Sequence, residues 1–505
     1  MSEVKVKLSR EEIAKLEIGV TEISKTQKIF LSVFFLAFIG IYPCIQFVYS
    51  SPLKEIRPAT TVQKAFKQYE TAIEDTSLLR SVLLTPAQKF LTKYCRTGNE
   101  KVIIGRDGWL FYSGDCDYLM NPGFMEPGRM HKRDLAGDHP DVVAAIKKFA
   151  SELKARGIRL ILLPVPGKPL IYGDKLGAGE GRKGNKSFDE FKKQVEAFGV
   201  TVLDFTDDFI AMREKGEESY LKTDTHWTPA AMQFAAKKTA NAIGGAKPSP
   251  ETGTKIEISA RGDIANMLKL PDVDVIFPKQ NVQIIQYDVV QDRNSDILLL
   301  GDSFTNIYSL DAMGWGMRAG FAETLAHELG RPIDVIARND AGAHATRDVL
   351  SSEFMRGRDR LKGKKVVVWE FAIRELAIGD WTNSPLDLKK QEKSDFLAIK
   401  TPRTVTATVL GVTSVPRPNS APYKDHVMSL HLGDIEGRTE ALVYIVSMRD
   451  NVWTDAARLR ISDSIRIKLS PWADSESKYG SWNRSEFDDE KLLLQEPCWG
   501  EIVSK

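Results

Sequence analysis

The run Ile297-Leu298-Leu299-Leu300 constrains the fold more than any other feature of the chain. Four consecutive apolar residues leave no polar face. A strand built from them must be covered on both sides, as in a parallel sheet sandwiched between helices. Gly301-Asp302-Ser303-Phe304 follows directly and puts an acid and a hydroxyl where that strand leaves the sheet. Ligand sites of open α/β sheets gather at this carboxyl end. Further apolar runs stand at Ile158–Val165, Val200–Phe205, Ile333–Ala337 and Val366–Trp369. Helical periodicity lies between them over Asp141–Arg156, Phe188–Phe198, Pro229–Ile243, Met317–Leu329 and Ala345–Phe354. The alternation predicts an α/β, doubly wound, mostly parallel sheet. Gly244–Asp292 interrupts the rhythm with Pro, Gly and short strands, and reads as an insertion near the substrate face.

Two regions fall outside that pattern. Ile29 to Tyr49 carries no charge and is long enough to span a bilayer as a helix. A buried core helix or a cleaved signal peptide are the rivals. The run is long for either, and no clean small-x-small cleavage site follows it. Lys25 and Lys28 abut its start, which favours a cytoplasmic N-terminus, although the first 28 residues hold five Glu against six Lys or Arg. The expected order is a cytoplasmic segment (1–28), a transmembrane anchor (29–49), a helical stalk broken near Pro86 (50–95) and an α/β domain (96–394). After about residue 395 the periodicity changes to alternation, in runs such as Thr404–Leu410, Val427–Leu432, Leu442–Met448 and Ser464–Leu469. Residues 395–505 should therefore form a small all-β domain, an OB-like barrel or a sandwich. Trp472, Tyr479, Trp482 and Arg484 cluster there, suited either to stacking on carbohydrate or to docking the domain.

A net charge of +2 argues against a nucleic-acid partner. The four cysteines show no CxxC spacing, so neither a zinc site nor another metal is expected; Cys95 and Cys116 could pair in an oxidising compartment. Asp107-Gly108 between Val102–Ile104 and Trp109–Tyr112 is a hairpin signal.

A serine hydroxyl needs a base to become a nucleophile, and a base needs an acid to hold its tautomer. Asp224-Thr225-His226-Trp227 offers both. Two residues apart in an extended segment, Asp224 and His226 would point to the same side. A lone His beside Asp is more often structural than catalytic. Asp302 is better suited to binding loop N–H groups than to catalysis.

The chain resembles the SGNH-hydrolase-like alginate O-acetyltransferase family over roughly residues 95–385. The resemblance rests on Gly105-Arg106-Asp107-Gly108-Trp109-Leu110-Phe111, Pro164-Val165-Pro166-Gly167-Lys168, Asp224-Thr225-His226-Trp227, Gly301-Asp302-Ser303-Phe304 and Val368-Trp369-Glu370. In this family the Asp and His precede the Ser, as they do here. The resemblance implies an SGNH-like sheet, Ser303 as nucleophile, His226 as base and Asp224 as its orienting acid, with no cofactor. The Ser303 backbone would bind the oxyanion, joined by the loop Arg338-Asn339-Asp340-Ala341-Gly342. Tyr308, Arg338, Asn339, Gly342 and Arg374 would contact substrate. A polysaccharide would be the acceptor, a membrane-bound O-acyltransferase the acetyl donor, and the inner membrane the site of anchorage, with the catalytic part in the periplasm. An acetylesterase of the same fold, or a glycan-binding scaffold without activity, remain open alternatives.

Overall fold

The computed structural model describes residues 24–50 and 80–503, apart from 178–183, 251, 271, 290, 340–341, 389–395, 419–422, 436–438 and 488, together with Arg10, Phe66, Glu70 and Ser77. The chain divides into two compact units, Met1–Pro86 and Ala87–Lys505. In the first, a helix runs over Lys25–Ser50. Ser24 and Gln27 cap it reciprocally, each side chain accepting the other's backbone N–H at 3.3 and 2.9 Å. The stretch Lys25–Gln46 has a mean hydropathy of 2.1 and is long and apolar enough to cross a membrane. Phe30, Phe34 and Phe38 stack outward along it, exposed, which suits a membrane anchor. Most of the expected cytoplasmic segment and stalk lie outside the described residues. A π-helical turn, Arg80–Leu84, gives way to an α-helix at Thr85–Cys95, close to the break expected at Pro86.

The second unit begins with a hairpin, β1 (Val102–Ile104) and β2 (Leu110–Tyr112). Asp107 and Gly108 both adopt positive φ in its loop, at 55° and 79°. The chain then lays down β3 (Arg159–Val165), β4 (Thr201–Val202), β5 (Thr254–Ala260), β6 (Gln280–Gln286), β7 (Ile297–Gly301), β8 (Asp334–Ala337) and β9 (Val366–Ala372). Five of these form one parallel sheet in the order β4-β3-β9-β7-β8. Every residue of β7 and β9 is buried, as the apolar runs required. Helices cover the sheet through regular stripes. Val142–Ala155 buries Val142, Ala145, Ile146, Phe149 and Leu153, and is capped by Asp141, which accepts Ala144 N–H at 2.9 Å. The insertion is the antiparallel hairpin β5–β6, with short helices Asp263–Met267 and Val273–Ile276 between its strands.

The C-terminal region contains β10 (Arg403–Val412), β11 (His426–Ile435), β12 (Thr439–Arg449), β13 (Val452–Trp453), β14 (Ser464–Pro471), β15 (Arg484–Ser485) and β16 (Pro497–Ile502). Its five long strands pair in a closed circle: β10 with β11, β11 with β12, β12 with β16, β16 with β14 and β14 with β10. Closure, with β12 and β16 parallel, makes this an OB-like barrel rather than a sandwich. Val409, Met428, Leu430, Val443 and Ile467 fill its core.

Two readings the sequence left open are narrowed. Cys95 is exposed and Cys116 buried, and both are free thiols. Cys116 lies inside the packed helix Ser113–Met120, where burial pushes its thiol up to about 12. The aromatic cluster is not an open stacking face. Trp472, Trp482 and Trp499 are buried with Tyr444 and Val427, with Leu310 of the α/β domain packed against them.

Candidate active site

The first half of the site is the turn after β7. Asp302 takes an N-cap position, accepting Phe304 N–H at 2.8 Å with one oxygen and Ala372 N–H at 2.7 Å with the other. Its own N–H donates to Glu370 Oε2 at 3.0 Å, and Thr305 Oγ1 donates to the same oxygen at 2.7 Å. Burial, followed by the nearby Asp302 charge, raises Glu370 well above the ordinary carboxyl range. Glu370 thus fixes the turn through two accepted hydrogen bonds in a setting that disfavours a second charge, and Asp302 binds loop N–H groups as expected. A Cβ on Gly301 would lie 2.2 Å from Thr305 Oγ1, so the turn tolerates no side chain there.

The second half is the loop between Tyr220 and Trp227, which face each other as an antiparallel bridge. The expected extended segment is instead a tight bend. Its cause is Asp224: Oδ1 accepts both His226 N–H at 3.1 Å and His226 Nδ1–H at 2.6 Å. Oδ2 accepts Asp263 N–H and Trp315 Nε1–H, each at 2.9 Å. Burial opposes charge on Asp224, but these hydrogen bonds outweigh it and hold its carboxyl at about 2. Burial likewise opposes charge on His226, yet Asp224 and Asp263 raise the imidazole above its usual value. Asp263 itself is pushed up to about 6 by burial and by the Asp224 charge. The loop needs Gly262, where a Cβ would sit 2.0 Å from Thr223 O.

Phe304 joins the halves, its ring 4.7 Å from His226 and 5.3 Å from Trp227. Ser303, His226 and Asp224 line one pocket of about 280 Å³, with Asp263, Asn266, Met267 and Lys269 from the insertion and Tyr423 and Asn483 from the barrel region. His226 Nε2 is buried there with no hydrogen-bond partner among the described residues. Donor atoms of Asp224, His226 and Asp263 lie within 4.8 Å of one another, close enough for a cation, but His226 Nδ1 and the Asp224 oxygens already engage in hydrogen bonds. A larger cavity, about 530 Å³, lies between the α/β domain and the barrel and contains none of these three residues. Ion pairs such as Arg360–Asp334 and Arg358–Glu353 line or border it.

The expected substrate contacts divide. Asn339 lines the pocket and accepts a hydrogen bond from Asn306 Nδ2 at 2.7 Å. Arg374 also lines it, bound to Asp115 at 3.0 Å and lying over the Tyr112 ring. Tyr308 does not reach it: fully buried, it donates to Trp227 O at 2.7 Å and holds the histidine loop. Arg338 points away, donating to Arg484 O at 3.3 Å in the barrel region. Gly342 is a turn residue at φ 67°, packed against Glu375. Asp340 and Ala341 lie outside the described residues. The sequence reading missed Trp315, Asp263 and the positioning role of Glu370. Nothing in local spacing marks the first two; Glu370 had appeared only within a matched motif.

Residues 102–373, more than half the chain, match the model of the family described as SGNH hydrolase-like domain, acetyltransferase AlgX. A probable alginate O-acetylase AlgJ of Pseudomonas fluorescens is 26% identical over 331 residues, covering 61% of this chain and 78% of that one. Its counterpart from Azotobacter vinelandii is 24% identical over 302 residues, covering 55% and 70%. Among solved structures, the O-acetyltransferase domain of Pseudomonas putida AlgJ is similar at 23% identity and a TM-score of 0.40, covering 55% of this chain and 93% of that one. The family match spans more than half of the chain and by itself shows the membership: the chain belongs to the SGNH hydrolase-like acetyltransferase family of AlgX.

Proposed function

We propose that this acyltransferase moves an acetyl group through Ser303 onto a hydroxyl of an exopolysaccharide, with His226 as base and Asp224 as its orienting acid. The observation that carries the reading is the His226–Asp224 hydrogen bond of 2.6 Å, with Nε2 lacking a hydrogen-bond partner among the described residues in the pocket that holds Ser303. Asp224 fixes the proton on Nδ1 and leaves Nε2 as the base. Ser303 Oγ attacks the acetyl carbonyl while Nε2 takes the serine proton. The tetrahedral intermediate collapses, and the donor's leaving group departs with that proton. A sugar hydroxyl then attacks the acetyl-serine, giving its proton to Nε2. The sugar ester leaves, and Ser303 Oγ recovers the proton. The Ser303 N–H and the Asn339 side-chain amide, both on the pocket lining, would stabilise the oxyanion in both halves.

Exposed Lys101 and Lys269 on the pocket wall favour a carboxylate-bearing acceptor, in keeping with relatives named as alginate O-acetylases. The apolar N-terminal helix suits a protein held at the inner membrane with its catalytic part in the periplasm, supplied by a membrane-bound O-acyltransferase. Incubation of the protein with an activated acetyl ester and alginate oligosaccharides tests the reading. Acetylated glycan formed by the wild type and lost in Ser303→Ala supports it. Free acetate as the sole product, with acetylated glycan being stripped, would sink it in favour of an esterase.

A further inference from the structure

Tyr423 and Asn483 reach the catalytic pocket from outside both the parallel sheet and its insertion. Asn483 lies between two anchored neighbours, Trp482 and Arg484, each less than a tenth exposed. Its carbonyl accepts Val427 N–H at 2.9 Å, where β15 joins β11. One residue ties this segment to the nucleophile strand. Arg338 donates its backbone N–H to Gly301 O at 2.9 Å and its guanidinium to Arg484 O at 3.3 Å. Gly301 is two residues before Ser303, and Arg484 directly follows Asn483, so the barrel's position is referred to the nucleophile itself.

Asn483 is 2% exposed, and its side-chain Oδ1 has no hydrogen-bond partner among the described residues. Buried side-chain amides normally have partners. This one offers a donor and an acceptor on one flat group, the complement of adjacent hydroxyls on a sugar ring. Tyr423, half-buried with its ring stacked on His426, adds an aromatic wall. We infer that Asn483, backed by Tyr423, positions the acceptor sugar over acetylated Ser303, so that the barrel is a wall of the catalytic pocket and selects sugar over water. This rests on the transferase reading above. It assigns glycan contact to the residue between the buried Trp482 and Arg484, rather than to that aromatic cluster.

The test uses the full chain in detergent, with p-nitrophenyl acetate as donor and alginate oligosaccharides as the probe acceptor, reading acetylated glycan and free acetate together. Asn483→Ala should raise the acceptor KM about tenfold and lower the ratio of acetylated glycan to free acetate by a similar factor. Asn483→Ser, which keeps a polar group, should recover part of that loss. Transfer and hydrolysis falling in parallel would mean a structural role and overturn the inference, as would an unchanged ratio and KM. If Asn483→Ala unfolds, Tyr423→Ala is read by the same two measures and the same outcomes. A wild type that never acetylates glycan strikes the transferase reading instead; a competent wild type beside an unaltered variant strikes this inference alone.

Discussion

The turn that carries Ser303 and the loop that carries His226 each rest on a buried carboxyl, and the two carboxyls are shifted in opposite directions. Glu370 accepts from one backbone N–H and one hydroxyl and is raised well above the ordinary carboxyl range, because burial and the neighbouring Asp302 charge disfavour a second anion. Asp224 accepts from two backbone N–H groups, an indole and an imidazole, and stays ionised at about 2. Residue type does not decide which acid supports a base and which only shapes a turn; the number and kind of donors do.

The sharpest way to break this contrast is to replace each acid by its amide. Asp224→Asn removes the charge that orients His226 and stabilises its imidazolium, so acetyl transfer should fall by about 10³-fold or more. Ser303→Ala should lose at least as much while leaving thermal unfolding nearly unchanged. Glu370→Gln puts a neutral group of the same shape where burial already disfavours charge, and transfer should stay within about tenfold of the wild type. Equal losses at positions 224 and 370 would refute the contrast between the two carboxyls.

The pH dependence gives a second handle. His226 must be neutral to act as base, and its pKa is raised. The acidic limb of the rate should therefore lie above the ordinary imidazole value of about 6.5, and move down in Asp224→Asn. Stability should show opposite slopes. The folded pKa of Asp224 is depressed, so its contribution is present above its unfolded value and lost as pH falls toward 2. That of Glu370 is raised, so its contribution is present below its unfolded value and lost as pH rises through the folded one. Urea unfolding across pH should show the acid-side decline weakened in Asp224→Asn and the decline with rising pH weakened in Glu370→Gln.

The smallest effect is expected at Tyr308. Tyr308→Phe leaves the buried Trp227 carbonyl without its donor, for about 1–2 kcal/mol of stability by chemical unfolding and a few-fold loss of transfer as the histidine loop loosens. A loss as large as that of Asp224→Asn would restore Tyr308 as a substrate contact.

The strands of the sheet were legible because apolar runs such as Ile297–Leu300 have one solution, burial on both faces. Helices such as Pro229–Ile243 were legible from periodicity, and the structure shows the cap, Thr228 accepting Ala231 N–H at 3.3 Å. Barrel and sandwich could not be separated from alternation alone, because closure depends on β12 meeting β16 across more than 40 residues of intervening chain. Side-chain direction was the other gap. Arg338, Asn339 and Gly342 share one loop after β8, yet of these three only Asn339 faces the pocket.

By itself, the sequence determined the chemistry on offer: a serine at a strand end, a histidine with an acid two residues away, and an apolar helix ahead of them. These are local facts, set by periodicity, residue type and spacing. The tertiary structure decided which groups meet. It brought Trp315 and Asp263 onto Asp224 from 91 and 39 residues away, set Glu370 beneath the Ser303 turn, and brought Asn483 to the pocket wall. Those contacts depend on how the sheet twists and where the barrel closes, which no local pattern encodes.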